Sequence, residues 1–527
     1  MSLPSRAEAP PPIDAGPAYA AFLARDSRFD GRLFVGVTTT GVYCRPVCRV
    51  RTPLAPHCRF FGHAAAAEAA GFRPCLRCRP ELAPGWAATE LTSRLAWAAA
   101  QRLQAGPAQA GRLEELASRL GISDRHLRRV FRQAFGVSPV DYAQTQRLLM
   151  AKRLLTDTCL PVTEVALAAG FGSLRRLQTL FRSRYGLAPS VLRRNRRTAS
   201  QPVTEGVARS ASIQLDLAYR PPLDWPRLLG FLAARALPGV EVVDLPGVAG
   251  APAGAYRRSL RLRRDPLGNG EDGGGDSIGW IEVTLSARAD ALRLTLSPAL
   301  LPVLPGVLAA LRRLFDLDGD PQAVAAVLGP LAVDAPGLRL PGCVDGFELA
   351  VRAVLGQQIT VKAAHTLAGR LVAALGEPFE AADRPPGLTH IFPTPERLAE
   401  AAPETIGALG IVRQRVTALQ ALARAVVLGQ LELGPAADVE ATLTRLEALP
   451  GIGPWTARYI ALRALAWPDA WPSGDVALMR ALGVVDPREA DRRAEAWRPW
   501  RGYATLHLWR RVAEGAPAWP STEKDPE

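Results

Sequence analysis

Apolar residues recur at intervals of three and four through "LEELASRLGISDRHLRRVFRQAFGVSP" (113–139) and again through "VTEVALAAGFGSLRRLQTLFRSRYGLAP" (162–189), the period of amphipathic helices. The second stretch echoes the first: Phe131 matches Phe181, Gly136 matches Gly186 and Pro139 matches Pro189. Each copy reads as a helix, a glycine-containing turn and a capped second helix that begins at Ser123 or Ser173, which is a helix-turn-helix made twice. The periodicity stops at "TASQPVTEGVARSAS" (198–212), a polar linker that splits the chain into a front of roughly 200 residues and a back of roughly 300. In the back, "IEVTLSA" and "LRLTLSP" alternate apolar and polar residues as half-buried antiparallel strands do, and from Leu301 onward the pattern turns helical. "MSLPSRAEAPPP" (1–12) reads as a disordered tail and "GNGEDGGGDS" (268–277) as a flexible loop within the sheet, while "GWAATE" near residue 85 parts a cysteine-rich module from the helical repeat.

Composition narrows the function. Lys+Arg 64 against Asp+Glu 50 gives a net charge of +14 over 527 residues, an excess that points to a polyanionic partner. A membrane surface would also suit that charge, but no apolar run reaches spanning length and no signal-type segment opens the chain, so a soluble, intracellular protein is expected. Seven cysteines, an odd number in a long chain, argue against a disulfide framework.

Four of the cysteines form two short-spaced pairs, Cys44-x3-Cys48 and Cys75-x2-Cys78, the pattern of a tetrahedral Zn2+ site. The plainest role for such a site is to staple a module too small for a good core. A zinc-bound thiolate with an open approach is also a nucleophile, so the two roles can coexist. "FVGVTTTGVYCRPVCRVR" followed by "AAEAAGFRPCLRCRPE" resembles the N-terminal zinc domain of the Ada adaptive-response proteins. The resemblance implies that all four cysteines hold zinc and that Cys44 accepts the methyl group of a methylated DNA phosphate, one event per molecule, after which the lost charge tightens DNA binding. Cys58 and His57 lie between the pairs and read as non-ligands, while Cys159 and Cys343 read as buried apolar residues. The P-C-H-R motif of an Ada methylguanine-transfer domain does not occur in the sequence, so no alkylguanine transfer is assigned.

The second helices of the repeat carry Arg125, Arg128 and Arg129, then Arg175 and Arg176, side chains suited to base edges and phosphates. A basic face is most often only a solvated one, and the duplicated turn is what favours DNA reading. The region resembles the AraC-type DNA-binding domain, which implies a linking helix at about 141–157 that sets two recognition helices into successive major grooves.

In the back half, "LPGIGPWTARY" (449–459) carries the helix-hairpin-helix signature, in which Gly451 and Gly453 free backbone amides, with Thr456 beside them, to hold a phosphate. "WPSGDVALMR" then brings Asp475. A lone Asp before a helix is usually an N-cap, but hairpin, spacing and basic context favour catalysis. The whole of 213–515 resembles the AlkA-type 3-methyladenine DNA glycosylases. That resemblance implies a monofunctional enzyme, because Trp455 stands where bifunctional relatives have a Schiff-base lysine. It also implies a base pocket of Trp455, Tyr459, Trp509 and Phe231, and a gap-filling wedge at Gln358, where the family commonly has an apolar residue.

The expected architecture is therefore multidomain and mainly α. A small four-cysteine zinc α/β module (13–85) precedes an all-α double helix-turn-helix (86–197), the linker (198–212), a small antiparallel α+β domain (213–300), an all-α helix-hairpin-helix glycosylase body (301–515) and a tail (516–527). Expected partners are double-stranded DNA, both alkylated and promoter, and RNA polymerase, with Zn2+ as cofactor, no membrane, and a cytoplasmic, nucleoid-associated location. The rival readings are a transcription factor whose back half only binds DNA, and a repair enzyme whose front half only tethers it.

Overall fold

A computed structural model describes residues 13–85, 94–105, 112–193, 212–248, 252–263 and 275–519. The expected tail 1–12, all of the linker but residue 212, most of the loop 268–277, residues 86–90 of "GWAATE" and the C-terminal 520–527 lie outside the described residues. The chain forms two compact units: Met1–Arg220 with Arg261–Gly279 and Ser286–Ala309, and Pro221–Leu260 with Trp280–Leu285 and Ala310–Glu527. The architecture is multidomain and mainly helical, as the sequence pattern implies.

The first unit opens with helix α1 (Ala15–Leu23) and a four-stranded sheet. Strand β1 (Phe34–Val37) runs antiparallel to β2 (Val42–Cys44) and β3 (Cys58–Phe61), and β4 (Arg73–Pro74) lies parallel to β2. Helix α2 (Ala64–Ala69) follows β3, and α3 (Arg94–Ala105) leads into the repeat. Its first copy is α4 (Arg112–Arg119) and α5 (Asp124–Phe135); α6 (Pro139–Asp157) links to the second copy, α7 (Val162–Ala168) and α8 (Leu174–Tyr185). The caps expected from sequence form: the Ser123 hydroxyl accepts from His126 N at 3.3 Å and that of Ser173 from Arg176 N at 3.2 Å. Both helices end on a left-handed glycine, Gly136 (φ 73°) and Gly186 (φ 66°), where a side chain would be strained. Leu127, Phe131 and Phe135 on α5, and Leu177, Phe181 and Tyr185 on α8, form buried stripes at helical spacing, each side chain stabilising its copy by roughly 1.5–3 kcal/mol.

The units do not part at the linker. Strand β5 (Ile213–Ala218) buries Ile213, Leu215 and Leu217 and pairs antiparallel with β9 (Ala291–Leu296), all within the first unit. Arg153 of α6 donates Nη2 to the carbonyl of Asp216 on β5, and Arg220 Nη2 donates to the carbonyl of Gly85 at 2.8 Å. These long arginines tie the strand pair to the front, so the division passes instead through β7 (Ala255–Arg263) and β8 (Asp276–Leu285).

In the second unit, β6 (Glu241–Asp244) pairs antiparallel with β7, and the helices Gly346–Leu355, Val361–Leu375, Arg413–Val427, Val439–Glu447 and Pro454–Arg463 enclose one apolar core. A second core gathers Trp471, Trp497, Trp500 and Tyr503 around the helices Val476–Leu482 and Arg501–Ala513. Among the described residues no helix is long and apolar enough to cross a membrane. One sequence expectation fails: Cys159 is exposed, because it follows the α6 cap Thr158 where the chain turns outward toward α7, whereas Cys343 is partly buried against the core.

Candidate functional site

Strand β2 ends on Cys44 and β4 runs into Cys75, so the parallel pairing of these strands brings the two cysteine pairs together. The sulfur atoms of Cys44, Cys48, Cys75 and Cys78 all lie within 4.8 Å of one another. Hydrogen bonding with Cys48, then with Cys75 and Cys78, pushes the Cys44 thiol up, while bonding with Cys44 holds Cys48 down to about 7 and Cys75 lower still. Four soft donors converging on one point, competing for protons, are a donor set that fits tetrahedral Zn2+. The Arg45 backbone N–H donates to Cys78 Sγ at 3.4 Å, and the buried Arg45 side chain pairs with Asp30, its Nε at 2.7 Å. Cys58 Sγ faces the carbonyl of Leu54 at 3.5 Å and His57 is exposed, so neither joins the cluster. Cys44 is only 3% exposed; the open approach that an acceptor thiol needs is closed in this conformation.

Behind the cluster the module is locked to the repeat by buried polar groups. The carboxylate of Glu68 on α2 accepts from the hydroxyls of Tyr43 (3.1 Å), Thr145 of α6 (3.1 Å) and Tyr185 of α8 (2.9 Å). Lys152 of α6 forms an almost fully buried ion pair with Glu81, and Arg79, next to Cys78, bridges Glu81 at 2.9 Å and Asp157 at 2.7 Å. On the second helices of the repeat, Arg125, Arg129, Arg175 and Arg176 are exposed, whereas Arg128 is engaged with Asp124 at 2.7 Å.

The second unit assembles a different site. Asp475 caps the helix Val476–Leu482, its Oδ1 accepting from Leu478 N at 2.8 Å. The same carboxylate accepts from two indoles, Trp455 Nε1 at 2.8 Å and Trp509 Nε1 at 3.1 Å, so one residue both caps the helix and meets the two rings. Trp455 stacks on Tyr459 with 5.4 Å between centroids and 7° between planes, and Tyr459 lies 6.3 Å from Trp509. Phe231 joins through Arg463, whose guanidinium lies 5.0 Å from the Phe231 ring and 5.8 Å from that of Tyr459. All five expected pocket and catalytic residues therefore belong to one connected set.

The hairpin sits one turn away, at the start of the helix Pro454–Arg463. Gly451 (φ 78°) occupies the left-handed region, and nothing lies within 4 Å of where a Gly453 side chain would begin, which leaves room for a phosphate to approach the backbone. Gln358 is exposed at φ 55° in the turn after the helix Gly346–Leu355. Its neighbour Gln357, which sequence reading passed over, donates Nε2 to the Gly451 carbonyl at 2.8 Å and to the Thr456 hydroxyl at 3.1 Å. Thr456 is therefore buried and braces the turn instead of presenting its hydroxyl outward.

Four family models match this chain: the metal-binding domain of Ada over residues 17–81, a helix-turn-helix domain over 116–195, the AlkA N-terminal domain over 214–345, and the HhH-GPD superfamily of base excision DNA repair proteins over 351–500. A Mycobacterium tuberculosis protein named "Probable bifunctional transcriptional activator/DNA repair enzyme AlkA" is 40% identical over 516 residues, covering 96% of this chain and 98% of its own. The DNA-3-methyladenine glycosylase 2 of Escherichia coli is 40% identical over 293 residues, 56% of this chain and 95% of its own. The bifunctional transcriptional activator/DNA repair enzyme Ada of Escherichia coli is 37% identical over 155 residues, 29% of this chain and 42% of its own.

Proposed function

The chain belongs to the family of bifunctional transcriptional activator/DNA repair enzymes named AlkA, and from that premise we propose that it excises alkylated bases from double-stranded DNA and reports phosphate methylation to transcription. The observation that carries the first half is Asp475, a carboxylate oriented by two indole N–H groups among stacked aromatic rings. The target base flips onto these rings, and a purine alkylated on a ring nitrogen is cationic, hence both well stacked and already a good leaving group. The C1′–N bond breaks with its electron pair leaving on the base, and Asp475 stabilises the cationic sugar. Water then adds to C1′ and its proton passes to the carboxylate or to solvent. Gly451 and Gly453 offer backbone amides to a phosphate, and Gln358 fills the vacated stack. Trp455 offers no amine to the sugar, so the product is an abasic site without a covalent adduct. Single-turnover release of 3-methyladenine from methylated duplex DNA tests this, with a borohydride-trapped adduct counting against it.

In the front half, the Cys44 sulfur attacks the methyl carbon of a phosphate methyl ester. The S–C bond forms as the C–O bond breaks, and the electron pair stays on the phosphate oxygen, restoring the anionic diester. Zn2+ held by Cys44, Cys48, Cys75 and Cys78 would keep the thiols deprotonated. Loss of the thiolate charge lowers repulsion toward DNA, and α5 and α8 carry Arg125, Arg128, Arg129, Arg175 and Arg176 to a promoter, with RNA polymerase as the next partner in the bacterial cytoplasm. The burial of Cys44 favours a second reading, in which the zinc is structural and the front half tethers the enzyme. Mass spectrometry of Cys44 after exposure to DNA carrying methyl phosphotriesters decides between the two.

A further inference from the structure

The aromatic set has two chemically different ends. At one, indole N–H groups converge on Asp475. At the other, Phe231 carries the Arg235 guanidinium 3.9 Å from its centroid and that of Arg463 at 5.0 Å. Arg463 is fully engaged: its Nε donates to the carbonyl of Pro341, its Nη2 to that of Gly342 at 3.0 Å, and its Nη1 to the Tyr459 hydroxyl at 2.8 Å. Arg235, four residues after Phe231 and just past the end of its helix (Trp225–Ala233), donates Nη1 to the Phe231 carbonyl at 3.2 Å and also hydrogen-bonds the Tyr459 side chain. Among the described residues no carboxylate pairs with either guanidinium, although the neighbouring Arg258 and Arg352 share Glu241 and Glu348. Burial holds the Arg235 group below its ordinary range, and Arg463 and Arg352 act in the same direction. An arginine keeps its charge even so, and its fork has five donors, more than its contacts to the Phe231 carbonyl and to Tyr459 occupy.

We propose that Arg235 is a specificity-determining residue that reads the edge of the flipped base farthest from the sugar, favouring a base with a carbonyl oxygen there over one with an amino group. The proposal rests on the reading that this aromatic set holds the base. A purine whose glycosidic bond lies at Asp475 turns its six-membered ring away from the sugar, toward the Phe231 end. In guanine that edge carries O6, which accepts from a guanidinium; in adenine it carries an amine, whose hydrogens meet only donors. The two arginines also repel any cationic base. 7-Methylguanine and 3-methyladenine are both cations, so that penalty cancels in their ratio and the edge remains.

Duplex DNA treated with dimethyl sulfate holds both lesions. The full-length protein is added under single-turnover conditions, and the released bases are separated by chromatography. Arg235→Gln should lower the 7-methylguanine to 3-methyladenine rate ratio about tenfold, the scale of one hydrogen bond to a charged donor. Arg235→Lys, which keeps the charge and loses the fork, should fall between. A ratio unchanged in both variants, with the two rates moving together, would mean that Arg235 only props Phe231, and the proposal fails. Should Arg235→Gln not fold, the ratio for Arg235→Lys decides alone. Wild-type protein that releases 3-methyladenine without 7-methylguanine also overturns the proposal while leaving base excision intact, whereas release of neither base overturns the excision reading itself.

Discussion

Cys44 and Asp475, the two groups to which the proposed function assigns chemistry, are both held nearly out of solvent, at 3% and 9% exposure, yet by opposite means. Cys44 sits among three groups of its own kind, which compete with it for protons. Asp475 is met by three N–H donors, so the chain itself satisfies the anion. Under the proposed function the thiolate would depend on a metal bound from outside and be used up by its reaction, whereas the carboxylate would act through charge and emerge unchanged. Burial by itself does not mark a catalytic residue; the two groups are told apart by their neighbours.

The comparison can be broken most sharply at Cys44. Cys44→Ser should abolish methyl uptake and lower bound zinc, with base release largely kept; methyl uptake that survives, read by mass spectrometry, would remove the acceptor role. Next in size is Asp475→Asn, which keeps the shape and loses the charge. Base release should fall by two to three decades, about 3–4 kcal/mol, with binding to damaged DNA retained in a separate titration. Near-normal release would place the chemistry on another residue. A third effect sharpens the contrast between buried carboxylates. Burial raises Glu68 to about 7 from an ordinary 4.5, against the pull of the Tyr185, Thr145 and Tyr43 hydroxyls. Its folded value lies above its unfolded one, so its contribution is full below about pH 4.5 and is lost as pH rises through about 7. That contribution amounts to about 3 kcal/mol. From pH 5.5 to 8.5 the melting temperature of zinc-loaded wild type should fall relative to that of Glu68→Gln, a difference in which the opposite slope of His63 and His507, both held down to about 4 by burial, cancels. Last, Cys58→Ser should leave zinc stoichiometry unchanged, since Cys58 lies outside the cluster; a drop in bound metal would enlarge the ligand set.

What the sequence disclosed was local. Ser123 and Ser173 cap as expected because a cap is decided within four residues, and the paired cysteines meet because each pair spans a single turn. Asp475 was visible both as a cap and, through hairpin and spacing, as a candidate for catalysis, whereas no local pattern disclosed that Trp509 reaches it across 34 residues. What stayed hidden was long-range and polar. Glu68 finds Thr145 and Tyr185 at separations of 77 and 117, and no periodicity announces a buried carboxylate. Arg235 was within reach, since it stands four residues after Phe231, just past the end of the helix that carries it, but a basic residue beside an aromatic one usually reads as solvated. Cys159 was misjudged because residue type alone says buried, while its place just past a helix cap says otherwise.

The strand pair β5 and β9 belongs with the front of the chain, fastened by Arg153 to the carbonyl of Asp216 and by Arg220 to that of Gly85. The peptide connection is then not what keeps these parts together. If a protease severed the chain between residues 198 and 211, the two fragments should still travel as one particle on a sizing column until denaturant released them. A gene split at that point would then yield two polypeptides able to find each other again when expressed side by side.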